Sequence, residues 1–201
     1  MVVKYTCSIN LTVIIIFIFD VETLSTESTC VILSAAMVYF DENSTYESIL
    51  ENSLFVKFDA KEQISKYNRT VSKSTLDWWS KQCDFAKNTS LVPTKNDVPA
   101  IEGIERFREY LKVDPSPNKI IWARGSLDQM AIDSLCNAVG VNPIVRYNAW
   151  RDVRTGIDIL ATTSENGYCQ VNLPGFTIQK VIKHDPVHDC AYDAVMLLYP
   201  I

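Results

Sequence analysis

The residues best suited to chemistry are Asp20 and Glu22. They close an apolar run, VIIIFIFDVETL over 13–24, and stand at i and i+2. Side chains so spaced share one face of a strand, so the two carboxylates can converge on a point. An acidic pair at the end of a buried strand is costly unless something cationic meets it. A divalent metal is the natural partner, because hard cations such as magnesium take carboxylate oxygens and keep substrate phosphate as a further ligand. Taken alone, D-x-E is better read as a strand that runs out into a solvated turn. Other residues point the same way as the metal reading. Asp128 follows a second apolar segment, and the C-terminal stretch HDPVHDCAYDA carries His184 five residues before Asp189 and His188 five before Asp193. No nucleophile elbow accompanies the histidines. Four acidic groups and a histidine suit two-metal phosphodiester hydrolysis, in which paired cations activate water and stabilise the leaving oxygen. A neutral imidazole is fit to take the water's proton near pH 7.

These groups need elements to position them. Seven apolar residues rich in Ile predict a strand buried on both faces, central in an α/β sheet. Residues 30–40 (CVILSAAMVYF) and 53–58 (SLFVKF) predict two more strands, joined by short turns into an antiparallel meander. Ser74 is the expected N-cap of a helix through TLDWWSKQCDFA, with Asp77 completing a loose capping box. Trp78 and Trp79 cannot both face the core of that helix. The stretch 88–99 is expected to be a loop. Residues 100–112 predict an amphipathic helix with Ile101, Ile104, Phe107 and Leu111 on one face. Beyond Pro115 and Pro117, Lys119–Trp122 predict a strand, and Ser126 an N-cap for a helix ending at Gly140. Asp128 then falls in the first helical turn, just past a strand end. A last helix is expected from about Pro186. This order implies an α/β or α+β fold with a mixed sheet.

Composition sets bounds. The chain has 201 residues and a net charge of −5, which suits one compact domain over 1–201. A broad basic face for gripping nucleic acid is absent from this balance, so phosphate contacts must be local or metal-mediated. The six cysteines, Cys7, Cys30, Cys83, Cys136, Cys169 and Cys190, form no C-x-x-C. With two histidines near the C-terminus there is no zinc pattern, and the thiols read as buried and free in a reducing compartment. Lys4 followed by an apolar run resembles a secretory signal, and N-x-[ST] sequons occur at Asn10, Asn43, Asn68 and Asn88. Asp20 and Glu22 interrupt the run, no small-residue cleavage site follows, and the run is too short to span a bilayer. The segment therefore reads as a core strand of a soluble cytoplasmic protein with no membrane partner. Residues 1–10 read as a leader before that strand or a start-site extension.

FDVETLS, WARGSLDQM and HDPVHDCAYDA resemble the three motifs of the DEDDh 3′–5′ exonucleases, in the ribonuclease-H-like superfamily. TLDWWSKQ and NAWRDVRT narrow the resemblance to the group holding phage exonuclease A (DexA) and the mycobacterial exoribonuclease-like proteins. It covers roughly residues 14–198, with five motifs in order. The resemblance implies a ribonuclease-H-like mixed sheet flanked by helices and two Mg2+ or Mn2+ ions. Asp20, Glu22, Asp128 and Asp189 would be the metal ligands and His184 the general base. The implied reaction releases nucleoside monophosphates from a single-stranded 3′ end, DNA being favoured over RNA by the phage likeness. A homodimer is common among such enzymes, and a phage enzyme would act in the host cytoplasm.

Two positions depart from the pattern. Leu127 stands where an aromatic commonly precedes the aspartate, which should alter packing rather than ligation. Pro186 stands where the third motif usually has Ala. The competing register pairs His188 with Asp193; His184 with Asp189 is preferred, leaving Asp193 a solvent-facing or supporting carboxylate. Thr23 and Leu24 follow the first motif, where related enzymes contact the terminal nucleotide. Trp78 or Trp79 could stack on a base or pack in the core. Arg124, Arg151 and Arg154 could meet phosphates, unless Arg151 and Arg154 pair with Asp152 or Asp158. Three other readings compete: an exoribonuclease, a non-catalytic binding module on the same fold, and a secreted glycoprotein.

Overall fold

In the computed structural model residues 15–201 are described; the proposed leader, the first residues of the predicted strand, Cys7 and Asn10 lie outside them. The first strand, β1 (Ile16–Thr23), is the middle of a five-stranded sheet. It pairs antiparallel with β2 (Ile32–Phe40), which pairs antiparallel with β3 (Ser53–Lys57). On its other side β1 runs parallel to β4 (Ile121–Ala123), and β4 parallel to β5 (Trp150–Asp152). The order is β3-β2-β1-β4-β5, a mixed sheet. A strand bonded on both edges has its whole backbone satisfied, so its side chains can be apolar on both faces.

Alternation along β1 divides the protein. Phe17, Phe19 and Val21 face one core, filled by Ile104 and Phe107 of α5 (Ala100–Tyr110) and Ile132 and Leu135 of α6 (Leu127–Val139). Ile18 faces the other, with Tyr46 and Ile49 of α1 (Tyr46–Glu51) and Cys190, Ala191, Ala194 and Val195 of the last helix. Asp20 and Glu22 continue the Ile18 face, as period two requires. The residue opposite Asp20 on β2 is Ala36, and that opposite Glu22 is Ser34. Small side chains here let the last helix lie close: the Cys190 thiol reaches the carbonyls of Ile18 and Ala36, each at 3.7 Å.

Several boundaries differ from the sequence reading. The connection from β2 to β3 is not a short turn but contains α1, because Thr45 and Ser48 form a reciprocal capping box. Helix α2 (Ala60–Tyr67) was not anticipated; its mean polarity hides it, and Asp59 caps it. Helix α3 (Lys73–Trp79) begins two residues earlier than expected, because the Ser72 hydroxyl, not that of Ser74, accepts from the Thr75 N–H, and it ends at Trp79 instead of running through Ala86. A separate short turn of helix, α4 (Asp84–Ala86), runs on into a wide π-type turn at Lys87–Leu91, which reaches into the stretch 88–99 expected to be a loop. In α5, Ile101 is exposed, and Gly103 takes the buried place beside Phe58. Ser126 does precede α6, but its hydroxyl makes no capping bond. Strand β5 and helix α7 (Val153–Leu160) were also missed, the strand because three residues carry no alternation pattern and the helix because it spans only eight residues. The final helix, α8, spans Pro186–Leu198. Among the described residues Cys30, Cys136, Cys169 and Cys190 are buried free thiols, whereas Cys83 is exposed rather than buried. No helix of the described residues is long and apolar enough to cross a membrane.

Candidate active site

Two strand ends and two helix starts meet at one place. The C-terminal end of β1 brings Asp20 and Glu22, the turn after β4 brings Asp128 in the first turn of α6, and α8 brings Asp189 in its own first turn. The register of β1 against β2 shifts between Glu22 and Thr23, a bulge of the kind that re-aims side chains at sites. The end of β1 is then clamped. Trp79 is fully buried and its indole N–H donates to the Thr23 carbonyl at 2.9 Å. The Thr23 hydroxyl donates to the Ser25 carbonyl, and Leu24 is buried beside Trp79. Arg69, also buried, donates to the carbonyls of Ser28, Cys30 and Ala131 and to the Ser134 hydroxyl, tying the turn after β1 to α6.

The start of α8 is equally defined. Asp185 is its N-cap and accepts from the N–H of Val187 at 3.0 Å. Pro186 occupies the first helical position, where a missing N–H costs nothing; this accounts for the departure from the usual alanine. His184 sits in the turn before, with φ of +63°, and its N–H donates to Asp189 Oδ2 at 3.0 Å. Its imidazole lies between Glu22 Oε1, 3.8 Å from Nδ1, and the edge-on ring of Trp78, 4.7 Å between centroids. Ligand atoms of Glu22, His184 and Asp189 all lie within 4.8 Å of one another. His188, by contrast, bonds through Nδ1 to the Tyr46 hydroxyl at 2.7 Å. The geometry thus joins His184 and Asp189 to Glu22 and leaves His188 in a separate contact.

The electrostatics are those of an anion cluster. Burial, then the charges of Asp128 and Asp189, hold the Asp20 carboxyl well above the ordinary range. Burial, then Asp189 and Asp128, do the same to Glu22. Burial pushes Asp128 up to about 7, against the pull of the Val21 backbone, and Asp189 up to about 7, against that of the His184 amide. His184 moves the other way: burial and the Lys183 charge lower it, favouring the neutral ring. Oxygen donors crowded at a strand end with raised pKa values are the donor set of a hard divalent cation, so the residues present fit magnesium or manganese.

The remaining candidates sort as follows. Asp193 is buried, not solvent-facing, and Arg124 Nε bonds both its oxygens at 3.0 and 3.2 Å. Arg124 also donates to the Gly167 carbonyl at 2.9 Å and lies 4.1 Å over the Tyr168 ring. Its donors are therefore engaged within the protein. Arg154 is exposed, its guanidinium next to Gly125 and close enough to draw down Asp128. Arg151 donates to the carbonyls of Asn148 and Trp150, and Asp152 caps α7 through Thr155 instead of pairing with an arginine. Leu127 packs, partly buried, on the main core. Beside the acidic cluster opens a cavity of about 460 Å³ whose walls include Tyr168, Ile178 and Tyr192. No sequence pattern marks these residues: Tyr168 lies in a loop, Ile178 opens a 3-10 turn (Ile178–Lys180) and Tyr192 lies on α8.

Similarity to known proteins follows the same outline. The Rv2179c-like family, described as a 3'-5' exoribonuclease Rv2179c-like domain, matches residues 16–199. An exodeoxyribonuclease of Enterobacteria phage T4 is 31% identical over 206 residues, covering 92% of this chain and 88% of the phage protein. Among solved structures, cell-death related nuclease 4 (CRN-4) superposes with a TM-score of 0.53 at 13% identity, over 92% of this chain and 62% of that one. That likeness and the mixed five-stranded sheet bear out the ribonuclease-H-like α/β fold.

Proposed function

We propose that this chain, which belongs to the Rv2179c-like exonuclease family, is a metal-dependent 3′–5′ exonuclease that releases nucleoside monophosphates from single-stranded DNA. The observation that carries the reading is the meeting of Glu22, His184 and Asp189, whose ligand atoms lie within 4.8 Å of one another, with Asp20 and Asp128 near enough for the carboxylates to raise one another. Asp20, Glu22, Asp128 and Asp189 would hold two magnesium or manganese ions. When bound, such ions supply Lewis-acid activation of water and stabilise a leaving 3′-oxyanion.

The chain's own residues supply the rest. His184 is the general base: Nδ1–H faces the Glu22 carboxylate, and Nε2 takes the proton of the attacking water. Its lowered pKa keeps the ring neutral and ready at pH 7. Trp78, exposed beside His184, offers an aromatic face to a base. Thr23 and Leu24 form the floor at the strand end for the terminal nucleotide. Trp79 acts by holding that floor, and Arg154 meets phosphate at the rim. Arg124 supports the site through Asp193 instead of meeting phosphate.

DNA is favoured because the phage relative, 31% identical, is an exodeoxyribonuclease; the family description, which names an exoribonuclease, supports RNA as the second reading. The test is end-labelled DNA and RNA of one sequence, incubated with protein and magnesium. A 5′-labelled ladder that shortens from the 3′ end, faster on DNA, is expected. Release of the label as the first product, or shortening on neither substrate, overturns the proposal.

A further inference from the structure

The cavity of about 460 Å³ beside the acidic cluster has a division of character. Asp20, His184 and Asp189 form one end, and Lys183 stands exposed at its mouth. Tyr168, Ile178, Val181 and Tyr192 supply its apolar walls, and the paired Arg124 and Asp193 also line it. An aromatic and aliphatic recess with a few polar groups at one end is the usual make-up of a site for a flat, partly apolar ligand, and this volume is in the range such sites have. Tyr168 and Ile178 are about half exposed, 47% and 46%, so their surfaces toward solvent are unpartnered.

The walls are held rigidly. Arg124 lies over the Tyr168 ring at 4.1 Å and is anchored to the buried Asp193 and to the Gly167 carbonyl. Gly167 itself has φ of +75°, and a Cβ there would fall 2.4 Å from Arg154 Cβ, so the turn carrying Tyr168 admits only glycine. Tyr192 stacks on Phe176, 6.0 Å between centroids and 19° between planes. A buried ion pair that fixes an otherwise exposed tyrosine ring has a purpose if the ring's other face receives a ligand.

The direction of the substrate follows from which carboxylate lies on which side. Asp20 and His184 line the cavity, whereas Glu22, 3.8 Å from His184 Nδ1, and Trp78, whose ring packs on the same imidazole, are not among its walls. Resting on the exonuclease reading, with the terminal nucleotide at Thr23, Leu24 and Trp78, the chain 5′ of the scissile phosphate must leave on the Asp20 side. We propose that this cavity binds the nucleoside immediately 5′ of the scissile bond, its base against Tyr168 and Ile178 and its own phosphate near Lys183. The enzyme then grips one base on each side of the reacting phosphate.

The experiment compares a dinucleotide, 5′-phosphorylated dTdT, with the p-nitrophenyl ester of thymidine 5′-monophosphate, which lacks that nucleoside. Tyr168→Ala should lower the ratio of kcat/KM on the dinucleotide to kcat/KM on the ester at least tenfold, and Tyr168→Phe, which keeps the ring, should restore the ratio. A ratio equal to wild type in a folded Tyr168→Ala protein overturns the inference while leaving the exonuclease reading intact. A tenfold rise in the inhibition constant of thymidine 5′-monophosphate, with the ratio unchanged, would put the terminal nucleotide in the cavity and also overturn it. Wild-type protein that hydrolyses neither compound with magnesium overturns the exonuclease reading and this inference with it.

Discussion

The backbone N–H of His184 donates to Oδ2 of Asp189 at 3.0 Å, across a turn in which His184 holds φ of +63°. A non-glycine residue in that region is uncommon, and such residues cluster at functional sites. The bond makes the proposed base and one proposed metal ligand a single unit. His184→Gly, which suits the backbone, should keep the fold yet lower kcat by about 10²–10⁴. Its pH–rate profile should lose the acidic limb, which in wild type lies below the ordinary imidazole value because His184 is lowered. A folded variant with an unchanged profile would remove His184 from the mechanism.

Metal-free stability should run against pH in an unusual direction. Asp128 and Asp189 are each pushed up to about 7, and Asp20 and Glu22 are raised as well. Between the unfolded value near 4 and about 7, the folded chain holds protons that the unfolded chain has released, so stability falls as pH rises. In EDTA the melting temperature should be higher at pH 5 than at pH 8, and magnesium should restore it at pH 8. A melting temperature in EDTA that climbs from pH 5 to pH 8 would contradict this.

The two adjacent tryptophans should part company. Trp79→Ala removes a fully buried ring and the bond that clamps Thr23, at a cost of about 3–5 kcal/mol. Trp78→Ala touches a ring that is 39% exposed and should leave melting nearly unaltered. If Trp78 stacks on a base, it should raise KM for oligonucleotides about tenfold, from a stack of about 1–3 kcal/mol. Equal destabilisation by both changes would refute the division.

Arg124→Ala should destabilise by about 3–5 kcal/mol, because it strands the buried Asp193 carboxylate. The double change Arg124→Met with Asp193→Leu should recover most of that loss in a denaturant titration. A double variant no better than the single one would mean that Arg124 acts through contacts other than this pair.

Much of the candidate site was legible in the sequence because its placement depends on local rules. Period two along β1 put Asp20 and Glu22 on one face whatever the neighbours, and the Gly140 end and strand-then-helix pattern fixed Asp128 in a first turn. The choice of His184 over His188 was open in sequence, since both stand five residues before an aspartate; it depends on Tyr46, distant in the chain, which engages His188. Asp193 looked like a surface or supporting group because its partner, Arg124, lies 69 residues away. Strand β5 has three residues and could not display alternation. The cavity walls at Tyr168 and Ile178 come from a loop and a single 3-10 turn, too short to show a period, where only the folded chain brings an aromatic ring next to a carboxylate.

The most direct test of the central claim joins metal binding to hydrolysis in one variant. Manganese binding, followed by the loss of the free-ion electron paramagnetic resonance signal, should be measured on wild type and Asp20→Asn beside release of nucleotide from single-stranded DNA. Asp20→Asn should keep its fold, with a metal-free melting temperature no lower than wild type at pH 8 because burial and neighbouring charges no longer oppose an ionised group. It should bind manganese more weakly and release no nucleotide. Turnover near the wild-type rate by Asp20→Asn, or wild-type turnover undiminished in EDTA, would contradict the assignment of the acidic cluster as a metal-dependent hydrolytic centre.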